Sequence, residues 1–193
     1  MSAFTGIFTS FGLSTSAGLN AYLPLLIVAL LSRFTNLIRL NEPFDALESW
    51  WTIGVLVVLT TIEILADKIP VVDSINDVIQ TLVRPVAGAI LFAANANAIA
   101  DIHPVLAMIC GLLIAGAVHV VKAVARPAVT AATAGAGNPV VSTAEDIVSA
   151  LTALISVLLP VLMALILLLA VAIIGWWLWA RDRRRRADRQ GNA

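Results

Sequence analysis

Of 193 residues, 60% are hydrophobic and 12% are charged, and the mean hydropathy is +0.97. Soluble domains run about 45–50% apolar and about 25% charged. A soluble enzyme of ordinary type, a disulfide scaffold, a disordered tail and a coiled coil are therefore excluded. The single cysteine, Cys110, allows no intrachain disulfide, and the chain reads as an all-α, polytopic integral membrane protein.

A net charge of zero hides an asymmetry. Residues 181–193 hold Arg181, Arg183, Arg184, Arg185, Arg186 and Arg189 against Asp182 and Asp188, so this tail is +4 and the rest of the chain −4. Basic flanks stay cytoplasmic, which places the C-terminus inside. The tail could also dock on anionic lipid. It follows the aromatic belt of Trp176, Trp177 and Trp179, as a stop-transfer anchor does, and nucleic-acid binding is not expected.

At the other end, MSAFTGIFTSFG lacks a basic n-region, so no cleavable signal peptide is expected. A span needs about 20 mostly apolar residues, and clear candidates cover roughly 17–33, 50–67, 85–100, 104–122 and 160–180. The loop 34–49 reads as an interfacial piece with a turn at Asn41-Glu42-Pro43. Two further segments, 70–84 and 139–159, are apolar but carry charge. The second cannot fuse with the last span, because 142–180 would be a helix of about 58 Å, and Pro160 supplies the break. Segment 126–138 is small and Gly-rich, hence a loop or an unwound stretch.

Segments 70–84 and 139–159 resemble each other at an offset of 69. Pro70-Val71-Val72 matches Pro139-Val140-Val141, Asp77 matches Asp146 and Leu82 matches Leu151. Three segments to each unit would make the second inverted, as in many secondary transporters. The expected architecture is therefore about seven membrane segments in one domain, residues 1–180. Repeat 1 covers about 11–84 and repeat 2 about 85–159. An extra helix at 160–180 and the cytoplasmic tail 181–193 follow, with broken or re-entrant helices at 70–84 and 139–159. Seven crossings put Arg33, Arg39, Arg84, Lys122 and Arg126 inside and leave Lys68 outside.

Three stretches, GLSTSAGLNAYLPLL (12–26), EILADKIPVVDSINDVIQTLVRPVAG (63–88) and GAGNPVVSTAEDI (135–147), resemble the uncharacterised bacterial membrane proteins grouped as domain of unknown function 4126. That resemblance implies a bacterial cytoplasmic membrane and brings no activity. A looser likeness joins the chain to the lysine-exporter transporter superfamily, which shares inverted three-helix units. Its cation-exchanging members carry a Glu, then Asp-Lys within a turn; here Glu63 and Asp67-Lys68 stand one residue too far apart.

Ionisable residues within spans are costly and default to functional candidates. Glu63 and Asp67 share a helix face, although Asp67 and Lys68 could simply end the span. Asp73, Asp77, Gln80 or Thr81, and Arg84 form a polar stripe; Ser142, Glu145 or Asp146, Ser149 and Ser156 form another. Each stripe lines a hydrated path or forms an interhelical hydrogen-bond seam. Ser142-Thr143-Ala144-Glu145 fits a capping box after the bend of Gly135, Gly137, Asn138 and Pro139. Asp73 can cap the partner helix. The alternative is that two broken helices aim their positive ends at a central site. His119, Lys122 and Arg126 follow one another at helical spacing; His119 is a proton shuttle or a buried, hydrogen-bonded histidine. Asn20, Asn95 and Asn97 read as packing amides, and His103 as a loop residue.

No Walker loop, G-x-S-x-G, dinucleotide fingerprint or H-E-x-x-H occurs, and two distant histidines with one cysteine do not form a zinc site. Neither an enzyme nor a cofactor is expected. The expected partners are the bilayer and a small ion or solute, with a homo-oligomer left open. The leading expectation is a secondary transporter or channel, cation- or proton-coupled. A lipid head-group handler and a non-catalytic structural protein are the alternatives.

Overall fold

A computed structural model of the chain describes residues 3–96 and 103–191. Among them are seven α-helices and no strand: α1 (Ala3–Leu19), α2 (Tyr22–Phe34), α3 (Trp50–Ala66), α4 (Pro70–Ala96), α5 (Pro104–Thr133), α6 (Asn138–Leu158) and α7 (Pro160–Gly191). Four helical stretches are long and apolar enough to cross a membrane: Asn76–Asn95, Pro104–Thr133, Asn138–Leu158 and Pro160–Arg181. Large apolar side chains point outward along α3, α5 and α7, Trp51, Val121, Val124 and Trp176 among them. The interior mixes small and aliphatic residues such as Leu13, Ala17 and Leu91 with serines, amides and charges. An apolar exterior around an interior that holds the polar groups suits a lipid surround, and the architecture fits a multi-pass membrane protein.

The helices differ in detail from those read in the sequence. The span expected at 17–33 is two helices that turn at Asn20 and Ala21. Asn20 Oδ1 accepts the Leu23 N–H at 3.0 Å, capping α2 with Pro24 in its first turn. Segment 70–84 and residues 85–96 of the segment at 85–100, expected as separate crossings, belong to one helix running through Pro85. Proline removes one backbone donor, and neighbouring helices in such a fold compensate for the loss. Likewise α5 runs through Pro127 to Thr133, so 126–138 is not a loop. The turn is confined to 134–137, where Ala134 (φ 51°) and Gly135 (φ 84°) take left-handed conformations. Segment 139–159 is neither broken nor re-entrant: α6 is continuous to Leu158, and the expected break falls at Leu159-Pro160. The turn at 41–43 stands where expected, closed by the Phe44 N–H on the Asn41 carbonyl at 2.8 Å. The chain then forms a short 3-10 turn, Phe44–Glu48.

Helix α1 is the central post. Ser14 Oγ donates to the Gly88 carbonyl of α4 at 3.0 Å, and Asn95 Nδ2 donates to the Gly6 carbonyl at 3.0 Å. Against α6, Thr9 Oγ1 donates to the Ser156 carbonyl and Ser16 Oγ to that of Ser149. Both α4 and α6 thus run antiparallel to α1 and parallel to each other. The repeat-matched starts of α4 and α6 are not inverted, because fusing 70–84 with 85–96 leaves the two helices an even number of steps apart. The same fusion puts Lys68 on the tail's side of the fold and the 34–49 loop, with Arg39, on the other. Helices α4 and α5 approach so closely that a Cβ on Gly111 would lie 2.2 Å from the Gly88 carbonyl oxygen. Small residues permit such contact where lipid supplies no hydrophobic driving force.

Candidate functional site

Helix α3 ends on the face expected to carry Glu63 and Asp67, and both are buried. The turn between α1 and α2 arrives beside it. The Ala21 N–H donates to Glu63 Oε1 and Oε2 at 3.2 and 3.1 Å, and the Tyr22 N–H donates to Oε2 at 3.3 Å. A helix start leaves such N–H groups free and carries partial positive charge, so the Glu63 carboxylate closes the N-terminus of α2. The broken helix aimed at a charge is therefore α1–α2, not 70–84 or 139–159.

Arg84, fully buried on α4, faces that carboxylate. Its Nη2 donates to Glu63 Oε1 at 3.2 Å and lies 3.6 Å from Asp67 Oδ2, while Nη1 is 3.8 Å from Asp77 Oδ1. Asp67 also accepts from Asn76 Nδ2 at 2.8 Å and lies 3.4 Å from Lys122 Nζ and 3.8 Å from Arg126 Nη2. Lys122 and Arg126, one turn apart on α5, each reach Glu145 Oε2 at 2.9 Å, and Lys122 donates to the Leu19 carbonyl at 3.2 Å. Asp146 accepts from Asn20 Nδ2 at 3.0 Å and lies 3.8 Å from Lys68 Nζ.

Arg84 Nη1 also stands 3.0 Å from His119 Nδ1. A guanidinium only donates, so Nδ1 accepts and the ring proton sits on Nε2. Nε2 lies 3.1 Å from Thr81 Oγ1, whose own hydrogen goes to the Asp77 carbonyl at 2.8 Å. Donor logic thus assigns the neutral Nε2–H tautomer.

Glu63, Asp67, Asp77, Arg84, His119, Lys122 and Glu145, all singled out in the sequence, therefore meet in one connected network, and Asp146, singled out with them, pairs with Lys68 and Asn20 close enough to interact with Asp67 and Lys122. The Asp73 side chain and Asn97 lie outside the described residues. Among the described residues the network together with the adjoining Asp146–Lys68 pair sets five carboxylates (Glu63, Asp67, Asp77, Glu145, Asp146) against four cations (Lys68, Arg84, Lys122, Arg126). With His119 neutral it carries one surplus negative charge. No group of three or more His, Cys, Asp or Glu side chains among the described residues could hold a metal ion.

Some expected roles change. Ser142 sits in the second turn of α6, not at its N-cap, because the helix begins at Asn138; its Oγ is buried without a hydrogen-bond partner. Gly135, Gly137, Asn138 and Pro139 do make the bend, with the Gly137 N–H donating to Thr133 Oγ1 at 3.0 Å and Thr130 Oγ1 to Asn138 Oδ1 at 3.1 Å. Ser149 Oγ bonds the Ser16 carbonyl and the Ser156 carbonyl accepts from Thr9, so the Ser149–Ser156 part of their stripe is a seam with α1. Sequence reasoning missed the Asn20-Ala21 turn, whose signal was a capping residue four positions before Pro24. It also missed Asn76, whose partner is nine residues away.

Beside the network, a groove of about 410 Å³ opens between α1, α5 and α6. Its walls include Leu19, Val118 and Val121, with Lys122 and Glu145 at its polar end.

The model of the family described as "Domain of unknown function (DUF4126)" matches residues 7–181, a stretch that holds every member of this network. The chain belongs to that family. No curated protein and no solved structure matches it, and the likeness to lysine exporters gains no support from these comparisons. For this member of DUF4126 the site must be read from its own chemistry.

Proposed function

We propose that the protein is a small transporter or channel for an ion or small solute, with proton or cation coupling, and not an enzyme. The observation that carries this reading is the cluster, among the described residues, of five carboxylates against four cations around the buried Glu63, Asp67 and Arg84, enclosed by helices with an apolar exterior. Charges are costly in such surroundings, and a scaffold gains nothing from an unbalanced set that neutral seams such as Ser16–Ser149 can replace. The cytoplasmic membrane of a bacterium, with the Arg-rich tail inside, completes the proposal. Purified protein in liposomes loaded with a pH-sensitive dye tests it: an imposed pH gradient should collapse faster than in empty liposomes. No protein-dependent flux of protons, alkali cations or a panel of small solutes would overturn the reading.

The lateral groove supports a second reading, handling of lipid head groups. Its walls suit an acyl chain and its end offers Lys122 and Glu145 to a head group. Accelerated translocation of a labelled phospholipid in the same liposomes, without ion flux, would favour it. A protein that moves neither would be structural.

A further inference from the structure

We infer that Asp77 and Asp146 are twin proton-binding sites, in which a protonated carboxyl donates to an otherwise unpartnered acceptor one turn away: Gln80 Oε1 on α4 and Ser142 Oγ on α6. The inference rests on the proposed ion path and names the coupling ion and the residues that hold it.

The carboxylates of the network fall into two kinds. Glu63, Asp67 and Glu145 each have a cation within 3.4 Å. The two repeat-matched aspartates each stand 3.8 Å from theirs. Asp77 Oδ1 and Asp146 Oδ2 are buried atoms without a hydrogen bond. Two more such atoms, Gln80 Oε1 and Ser142 Oγ, belong to side chains that are 1% and 0% exposed. Gln80 follows Asp77 by three positions and Ser142 precedes Asp146 by four, so each acceptor shares a helix face with its aspartate. A buried acceptor left unmade is unfavourable. An ionised carboxylate cannot relieve Gln80 Oε1, because both only accept, whereas the Ser142 hydroxyl can donate to an ionised carboxylate as well as accept from a protonated one. A protonated carboxyl gains one O–H donor and can serve either oxygen.

Charge points the same way. Asp77 faces Arg84 on its own helix and His119 on α5. Asp146 faces Lys68 beyond α3, Asn20 at the α1–α2 turn, Asp67 at the end of α3 and Lys122 on α5. A metal cation in either place would crowd Arg84 or Lys68, whereas a proton forms one O–H bond and adds no bulk. One proton taken from water brings the surplus of one negative charge among the described side chains to zero. Because two equivalent carboxyls compete for it, the proton can reside at either.

The test is pH-difference infrared spectroscopy of the full chain in lipid nanodiscs. Acidification should raise a protonated-carboxyl C=O band in the wild type. Asp77→Asn and Asp146→Asn should each abolish it, since either leaves four carboxylates against four cations. A band unchanged in both variants, or lost in only one, overturns the pairing. Gln80→Leu and Ser142→Ala keep every charge, and each should move one component of the band to higher frequency as its hydrogen bond is lost. An unshifted band in either variant overturns the acceptor role of that residue. A band of this kind without proton flux in liposomes would leave the sites standing and remove the transport reading; flux without the band would do the reverse.

Discussion

Glu63 and Asp77 both face Arg84, at 3.2 and 3.8 Å, yet they are held very differently. Glu63 is 1% exposed and takes backbone N–H groups from the α1–α2 turn as well as the guanidinium. Asp77 is partly exposed, reaches one cation at the outer limit of an ion pair, and keeps a buried oxygen unbonded. Asp146 resembles Asp77, with the Asn20 amide on one oxygen and a distant ammonium near the other. A saturated carboxylate resists movement, because every lone pair it could offer is already engaged. The difference separates a structural centre, Glu63–Arg84–Asp67, from two adjustable arms at its edge.

The largest effect should come from breaking the centre. Arg84→Met leaves Glu63 and Asp67 buried without their shared guanidinium, and losing one partner of a buried pair costs about 3–5 kcal/mol. Thermal unfolding in detergent should show a large fall in Tm, partly restored by adding Glu63→Gln. A variant that melts like the wild type would dissolve the distinction between centre and arms. A middle effect is expected at the hinge. Asn20→Ala removes the cap on Leu23, worth about 1 kcal/mol, and also frees Asp146 from its amide. It should lower Tm modestly and, in the infrared titration, move the Asp146 component of the carboxyl band while the Asp77 component stays put. The smallest effect belongs to the arms. Asp77→Asn and Asp146→Asn should each change stability by less than about 1 kcal/mol, as loosely held pairs do, while removing proton uptake. A loss as large as that of Arg84→Met would make the aspartates part of the scaffold.

Much of this site was legible in the chain, because the cost of charge among apolar residues makes every ionisable side chain in a span conspicuous. Glu63, Arg84, Lys122 and Asp146 could all be picked out without coordinates. Which acid meets which base could not. Asp67 joins cations from α4 and α5, and Glu145 takes two from α5, contacts set by how helices far apart in sequence pack. Pro85 shows the converse. Its sequence signal is a helix end, and the packed surroundings of α4 override it.

Composition and periodicity by themselves determined that the chain is helical, that its exterior is apolar, and that its polar residues must turn inward. These follow from side-chain chemistry and need no partner. Tertiary structure decided the turn at Asn20-Ala21, the continuity of α4 through Pro85, and the parallel course of the two PVV helices, all of which depend on what stands beside each segment. It also decided that, among the described residues, five carboxylates share four cations. A charge count along the chain gives the totals, but only packing determines which charges come within reach of one another.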